Sequence, residues 1–250
     1  MARQVGVIQF EGTLGDLSGV QTKDGILLKR KGGISKEKFN SSPSMERTRE
    51  NASEFGRAAQ SGKLFRDSMR VGIAQASDGR MVSRMTQKMR EVIAQDAVNV
   101  RGQRGILDDE CSLLEGFDFN GDSGFGSVVY VTPTTVIDRV TGNVQAKVPA
   151  HSARISIAAP QGATHFKFFG CASAVNFEAN TFEGKDAESD FISLTNNAVA
   201  ETTLELDLSE NVAGPIFVGL GIAFYQEVNA IKYPLKNGTY NAFKVIKVDA

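Results

Sequence analysis

The sequence predicts an α+β protein: an N-terminal β-meander with helices, then a C-terminal antiparallel β-sandwich, jelly-roll-like in its succession of strands. Three observations predict it. Short β-prone runs around an Asp-Gly turn fill the first 33 residues. Apolar residues from Met81 to Ile93 recur at helical spacing. From residue 127 onward, short apolar runs alternate with turn residues and no long helical period intervenes.

Val5, Val7, Ile8 and Phe10 open the chain as a β run whose alternation slips phase between Val7 and Ile8. Ser18–Thr22 is a second run and Ile26–Lys31 a third. Lys23-Asp24-Gly25 joins them, because a tight hairpin needs the positive φ that Asp-Gly supplies. Gly32-Gly33 ends the pattern behind a basic tip, Lys29-Arg30-Lys31. Ser42-Pro43-Ser44 then places a proline in a first helical turn behind a polar cap. Helix to about Ala59 follows; Ser61-Gly62 reads as a break or a close helix contact. Leu64, Phe65, Met69 and Ile73 form a further stripe, with Gly72 weakening its end. Met81, Met85, Met89, Val92 and Ile93 make the clearest amphipathic helix, and methionines at this spacing read as core.

Nine β runs are expected beyond it: Ser127–Val136, Val144–Val148, Ala153–Ala158, His165–Phe169, Ala174–Phe177, Asp190–Leu194, Glu201–Leu208, Pro215–Glu227 and Ala242–Val248. Gly142-Asn143, Pro160-Gln161-Gly162, Gly184-Lys185-Asp186 and Asn237-Gly238 read as turns between them.

Composition narrows the function. The chain has 250 residues, 2 Cys, 2 His and no Trp, which excludes a cysteine-rich zinc module and a multi-histidine metal site. Cys111 and Cys171 read as two buried thiols rather than a disulfide. Asp118-Phe119-Asn120-Gly121-Asp122-Ser123-Gly124 begins like a calcium loop. Its sixth position is Ser123 rather than Gly and its twelfth is Val129 rather than Glu, so a turn-rich connector is favoured. The glycines from Gly121 to Gly126 precede a β run and lack a following Lys-Ser/Thr, which argues against a phosphate cradle. His151 and His165 read as structural. No cofactor and no catalytic residue is expected. No signal peptide or membrane span is read, and the expected location is the cytoplasm or an assembled particle or filament.

Charge is divided. Residues 1–105 carry 19 Lys+Arg and 11 Asp+Glu, net +8, whereas residues 106–250 carry 9 and 18, net −9. Two modules meeting near Gly102–Asp109 are expected: a basic arm plus helices over 1–105 and an acidic sandwich over 106–250. Lys29, Arg30, Lys31, Arg49, Arg57, Lys63, Arg66, Arg84 and Lys88 are the candidate contacts for self-association or for phosphates. A solvated helix face with pairs such as Glu46–Arg49 and Glu54–Arg57 is the bland alternative.

The block Thr48-Arg49-Glu50-Asn51-Ala52-Ser53-Glu54-Phe55-Gly56-Arg57-Ala58, with Gly62-Lys63-Leu64-Phe65-Arg66, resembles a family of uncharacterised Bacteroidetes-type bacterial proteins. Glu11-Gly12-Thr13-Leu14-Gly15 and Ala158-Ala159-Pro160-Gln161-Gly162 look like further blocks of that family. The resemblance implies no activity and transfers no catalytic residue. The expected function is a non-enzymatic structural protein that assembles with itself into a shell, tube or filament. A binding module, for nucleic acid through the basic part or for a carbohydrate or small ligand on the sandwich, is the alternative.

Overall fold

The computed structural model describes residues 2–6, 9–23, 25–30, 33–235 and 240–250. The chain divides into two compact units, Met1–Arg49 and Glu50–Ala250. The boundary expected near Gly102–Asp109 therefore falls inside the second unit. Charge asymmetry describes surfaces, and the helices before that point share a core with strands after it.

In the first unit, β1 (Ala2–Arg3), β2 (Gly12–Leu14), β3 (Leu17–Thr22) and β4 (Gly25–Arg30) pair antiparallel in the order β1-β4-β3-β2. Gly25 takes φ +107°, as the end of a tight connection from β3 to β4 requires. The run expected over Val5–Phe10 is not a strand at Val5, Gly6, Gln9 or Phe10. The Gln4 side chain stands in for a partner there: its Oε1 accepts from Phe10 N at 3.0 Å and its Nε2 donates to Phe10 O at 3.2 Å. Helix α1 (Lys36–Ser41) is capped by Ser35, whose hydroxyl accepts from Lys38 N at 3.2 Å. Val7, Ile8, Asp24 of the expected turn, Lys31, Gly32 and the expected Asn237-Gly238 turn lie outside the described residues.

Helix α2 (Glu46–Ser68) runs unbroken through Ser61-Gly62, where Gly62 is a close contact: a Cβ there would sit 3.5 Å from Met85 and Met89. After α3 (Arg70–Gln75), α4 (Met81–Ala94) buries all five residues of its predicted stripe. Short helices follow, α5 (Phe125–Val128) and α6 (Ala153–Ser156), along with a 3₁₀ segment at Asp108–Leu114. Two β predictions fail here: Ser127–Val128 belongs to α5 and Ala153–Ser156 to α6. The Asp118 carboxylate accepting from Phe125 N at 2.9 Å supplies a partner for the first turn of α5, which composition does not reveal.

The strands β5 (Thr134–Asp138), β6 (Asn143–Val148) and β10 (Thr202–Glu205) form a three-stranded antiparallel sheet. The larger sheet contains β7 (His165–Asn176), β8 (Thr181–Glu188), β11 (Ile216–Val228) and β12 (Ile231–Pro234) in the order β12-β11-β7-β8. In addition, β9 (Ile192–Ser193) pairs with β7, and β13 (Ala242–Asp249) pairs with β11. The runs predicted at His165–Phe169 and Ala174–Phe177 are one strand, β7. Gly170 interrupts the apolar pattern where neighbouring side chains come close: a Cβ there would meet Leu204 Cδ1 at 3.0 Å and Leu206 Cδ1 at 3.2 Å. Gly184-Lys185-Asp186, expected as a turn, lies inside β8.

Period-two alternation sorts the large sheet into two faces. Phe166, Phe168, Ala172 and Ala174 of β7 join Ile216, Val218, Leu220, Ile222 and Phe224 of β11 in a core shared with Val144, Ala146, Val148 and Leu204 of the small sheet. Phe169, Cys171 and Val175 with Phe217, Phe243 and Val245 face the other way, onto Phe65, Met69, Met85, Met89 and Ile93 of the helices. The second unit is thus three layers, helices over a large sheet over a small one, and its two β layers are a sandwich in coarse outline. Strands buried on both faces read as continuous apolar runs, as Ile216–Phe224 does. Each fully buried phenylalanine or methionine contributes about 1.5–3 kcal/mol by removal from water.

Candidate functional site

Most of the predicted basic contacts are engaged within their own unit. Arg49 donates to Phe39 O and Ser42 O, both at 2.8 Å, and ties α1 to the start of α2. Lys63 pairs with Asp67 at 3.0 Å and Lys88 with Glu91 at 2.9 Å. Arg57 donates to Arg104 O at 2.9 Å, and Arg84 pairs with Asp78. Arg66 Nη1 is buried without a hydrogen-bond partner among the described residues. Lys29 and Arg30 are exposed at the end of β4, and neither forms an ion pair among the described residues. Lys31 lies outside them.

The block carrying the family resemblance clamps a loop of its own chain. Glu50 Oε2 is 3.6 Å from Arg101 Nε, and Asn51 Oδ1 accepts from Arg101 at 2.9 Å. Glu54 Oε1 accepts from Gly102 N at 2.8 Å and faces Arg104 Nε at 3.3 Å. The i,i+3 pairs expected for Glu46–Arg49 and Glu54–Arg57 thus yield to longer-range contacts. Gly102, at φ +87°, approaches the helix so closely that a Cβ would meet Glu50 Cγ at 2.9 Å. Asp96 closes the same loop. Its carboxylate accepts from Asn99 Nδ2 at 2.8 Å and from the Gly105, Asn99 and Val98 amides, and these donors hold it far below the usual carboxylate range.

The loop that begins like a calcium site is a second clamp. Burial raises the Asp78 carboxyl, but the Gly121 and Arg80 amides and the Arg84 guanidinium outweigh burial and hold it below its ordinary value. Arg84 also donates to Asp118 O at 2.6 Å and to Phe119 O at 3.1 Å. Asn120 Nδ2 donates to Asn241 O at 2.7 Å. The segment then lies along β13: Gly116 N donates to Val245 O, Phe119 N to Phe243 O and Val245 N to Phe117 O, all within 2.8–3.0 Å. Every one of these contacts is internal, and no cluster of three His, Cys, Asp or Glu able to hold a metal occurs among the described residues.

Other polar groups are held by neighbours, whereas Ser123 Oγ and His151 Nε2 are buried without a hydrogen-bond partner among the described residues. His165 Nδ1 lies 3.0 Å from Thr164 Oγ1 and its Nε2 lies 3.5 Å from Glu227. His151 Nδ1 lies 2.9 Å from Pro149 O. A cavity of about 400 Å³ is lined by Gln75, Ser77, Glu188, Tyr225 and Asn241. Within it, Gln75 Nε2 donates to Glu188 at 2.7 Å, Lys167 pairs with Glu188 at 3.2 Å, and Asn241 Nδ2 donates to Gln75 O at 3.2 Å. Burial and the nearby Glu188 charge push the Tyr225 phenol up. Cys111 and Cys171 are free thiols, as expected. Burial, with Asp108, Asp109 and Glu110 around Cys111 and Asp186 near Cys171, pushes both up to about 12, so neither is a thiolate at neutral pH.

What sequence reasoning missed is an edge. The eight residues of β8 pair with β7 on one side, and on the other side no backbone hydrogen bond reaches them among the described residues. Beside this edge a groove of about 350 Å³ runs under the α2–α3 junction, lined by Ser68, Arg70, Val71, Phe182, Gly184 and Asp186. Val71 and Phe182 are each 46% exposed there. Past the end of β8 a concavity of about 510 Å³ lies between Glu188–Ser193 and Thr202–Thr203 of β10. The signal was present in the chain as Thr181-Phe182-Glu183, a β-prone start, but the Gly-Lys-Asp that follows outweighs it in any turn scale.

An α-over-β-over-β unit, beside a second unit none of whose described residues joins a hydrophobic core, is the class of object these observations define. Compared with protein-family models, curated proteins and solved structures, the chain matches none. No helix among the described residues is long and apolar enough to cross a membrane.

Proposed function

We propose that this protein is a non-enzymatic structural subunit that assembles with copies of itself into a shell, tube or filament. In this reading the N-terminal strands are a β-meander arm and the C-terminal sandwich is jelly-roll-like, an architecture that resembles capsid subunits by fold-level analogy only. The observation that carries it is the composition of the first unit. Among its described residues only Gly19 is buried, and no residue before Ala58 belongs to a hydrophobic core. Leu14 is 68% exposed, and Val5, Leu17 and Val20 are exposed beside it. A small sheet without a core is marginal by itself and gains stability only when its apolar residues are covered. A second copy supplies such a cover at every subunit interface, and contact between unlike surfaces propagates into rings or filaments.

Charge supports the same reading. Residues 1–49 carry 9 Lys+Arg against 5 Asp+Glu, net +4, while residues 50–250 carry 19 against 24, net −5. The thin stock of catalytic residue types and the engagement of the polar side chains described above favour structure over chemistry. Light scattering after size exclusion tests it. The expected result is a mass at a multiple of 26.9 kDa that falls as salt rises from 0.05 to 0.5 M, because screening shortens the reach of exposed charges to a few ångströms. A monomer at low salt and high concentration contradicts it.

A further inference from the structure

We infer that the open edge of β8 is the acceptor for the N-terminal arm of a second copy, entered by the basic end of β4 at Lys29–Arg30. The inference rests on the self-assembly reading and specifies its contact.

Of the two flanks of the large sheet, β8 offers the longer unpaired strand. The register fixes which groups it presents. Ser189 N donates to Phe168 O, so the antiparallel alternation pairs Ala187, Lys185 and Glu183 with β7 and turns the amides and carbonyls of Phe182, Gly184, Asp186 and Glu188 outward. An incoming strand finds hydrogen-bonding groups along this line. Its side chains on one face find the Val71–Phe182 groove, and the concavity at Glu188 lies past the strand's end. That combination, backbone bonds for attachment and pockets for alternate side chains, is what strand addition uses. Gly184 leaves the middle of the groove open, since it carries no side chain.

The chemistry of the edge selects the occupant. β8 carries Glu183, Asp186 and Glu188 against Lys185 alone, a net of −2. On the arm, β4 pairs with β3 along its whole length, and on its other side, among the described residues, Leu27 and Leu28 meet β1 and Ile26 O accepts from Gln4 N. β4 ends in Lys29 and Arg30, which are exposed. The arm thus presents two exposed cations at the end of β4, and the body a strand edge of net negative charge, on which Glu188 also holds Lys167 and Glu183 accepts from Ser209 N. Charged side chains along β8 also reject edge-to-edge pairing of two identical β8 strands, because carboxylates would face carboxylates. The same residues thus disfavour the symmetric contact and favour the basic arm.

Disulfide trapping between two differently tagged single variants, Lys29→Cys and Asp186→Cys, tests the contact in the full-length chain. The native thiols do not compete, being buried and protonated. The expected result is a mixed disulfide dimer, at least tenfold more abundant than with Ser127→Cys as the partner. Asp186→Pro is the second variant: its outward amide is lost and its pairing with β7 is kept, so association should weaken at least tenfold with the melting curve unchanged. If the unmodified protein assembles while the mixture gives no excess of mixed dimer and Asp186→Pro assembles as before, the β8 acceptor is wrong and self-assembly stands. If Asp186→Pro alone is silent, or if only the Lys29→Cys/Asp186→Cys double variant closes a bond, within one chain, the inference also fails. If the unmodified protein is a monomer, the self-assembly reading itself fails.

Discussion

β13 and β8 flank the same sheet and meet opposite fates. The flank at β13 is closed by the Gly116–Phe119 segment through three backbone hydrogen bonds, and that segment is pinned in turn by Asp78 and Arg84. The flank at β8 is left with its amides and carbonyls outward and with charge and a glycine as its protection. Both strands are eight residues long, so length does not distinguish them. What differs is the layer each serves. β13 places Ala242, Phe243, Val245 and Val248 in the two cores, whereas no residue of β8 is fully buried. A flank that builds the core is sealed; a flank that does not is available for another partner.

The largest effect should come from breaking the sealed side at its centre. Phe243 is fully buried and its ring occupies the space above Gly72 and Gly219, where a Cβ would come within 2.4 and 2.6 Å of it. Phe243→Ala should cost about 3–5 kcal/mol of stability in urea unfolding, the range for a buried phenylalanine that leaves a cavity. A loss below about 1 kcal/mol would show that β13 is not the structural flank.

Next comes the pin. Arg84→Ala leaves Asp78 without its cation and frees the carbonyls of Asp118 and Phe119. A loss of about 1–3 kcal/mol is expected, with faster hydrogen exchange at the Gly116 and Phe119 amides that bond to β13. Unchanged exchange at both amides would contradict the pinning role. The pH dependence sharpens the point. The Asp78 carboxyl is held below its ordinary value, so its contribution is present above that value and is lost as pH falls through its lower folded value. Asp78→Asn should therefore flatten the acid limb of the stability curve relative to the unmodified protein; an identical acid limb would assign that limb to other groups such as Asp96.

The smallest effect belongs to the open side. Asp186 is exposed, and no hydrogen bond or ion pair to its side chain is formed among the described residues. Asp186→Ser should change folding stability by no more than about 0.5 kcal/mol. A larger loss would mean that β8 is a structural flank like β13.

These two flanks also mark where the sequence was readable. The α4 stripe was legible because one face of that helix is buried and the rest is solvated, so the apolar period is complete. β11 was legible because burial on both faces leaves an unbroken apolar run. β7 was split at Gly170, a residue chosen for the approach of the opposite sheet rather than for a turn. β8 was read as a turn because an unburied edge selects Gly, Lys and Asp for solvation, the residues that also mark turns. The Gly102–Asp109 boundary failed because it was drawn from charge, while the core joins α2 and α4 to the strands that follow. The candidate cations were found by type, but the partners of those that are engaged lie from 3 to 47 positions away in sequence, and among the described residues Lys29 and Arg30 are the exposed ones without an ion pair.

Deleting residues 2–33 tests the central claim most directly, read by light scattering for mass and by circular dichroism for fold. The second unit holds both cores and no described residue of the deleted segment belongs to either. The truncated chain should melt with the spectrum of a folded protein and should be a monomer under conditions where the full chain is a multimer. A truncated chain that unfolds outright, or that assembles to the same mass as the full chain, contradicts an arm that joins subunits.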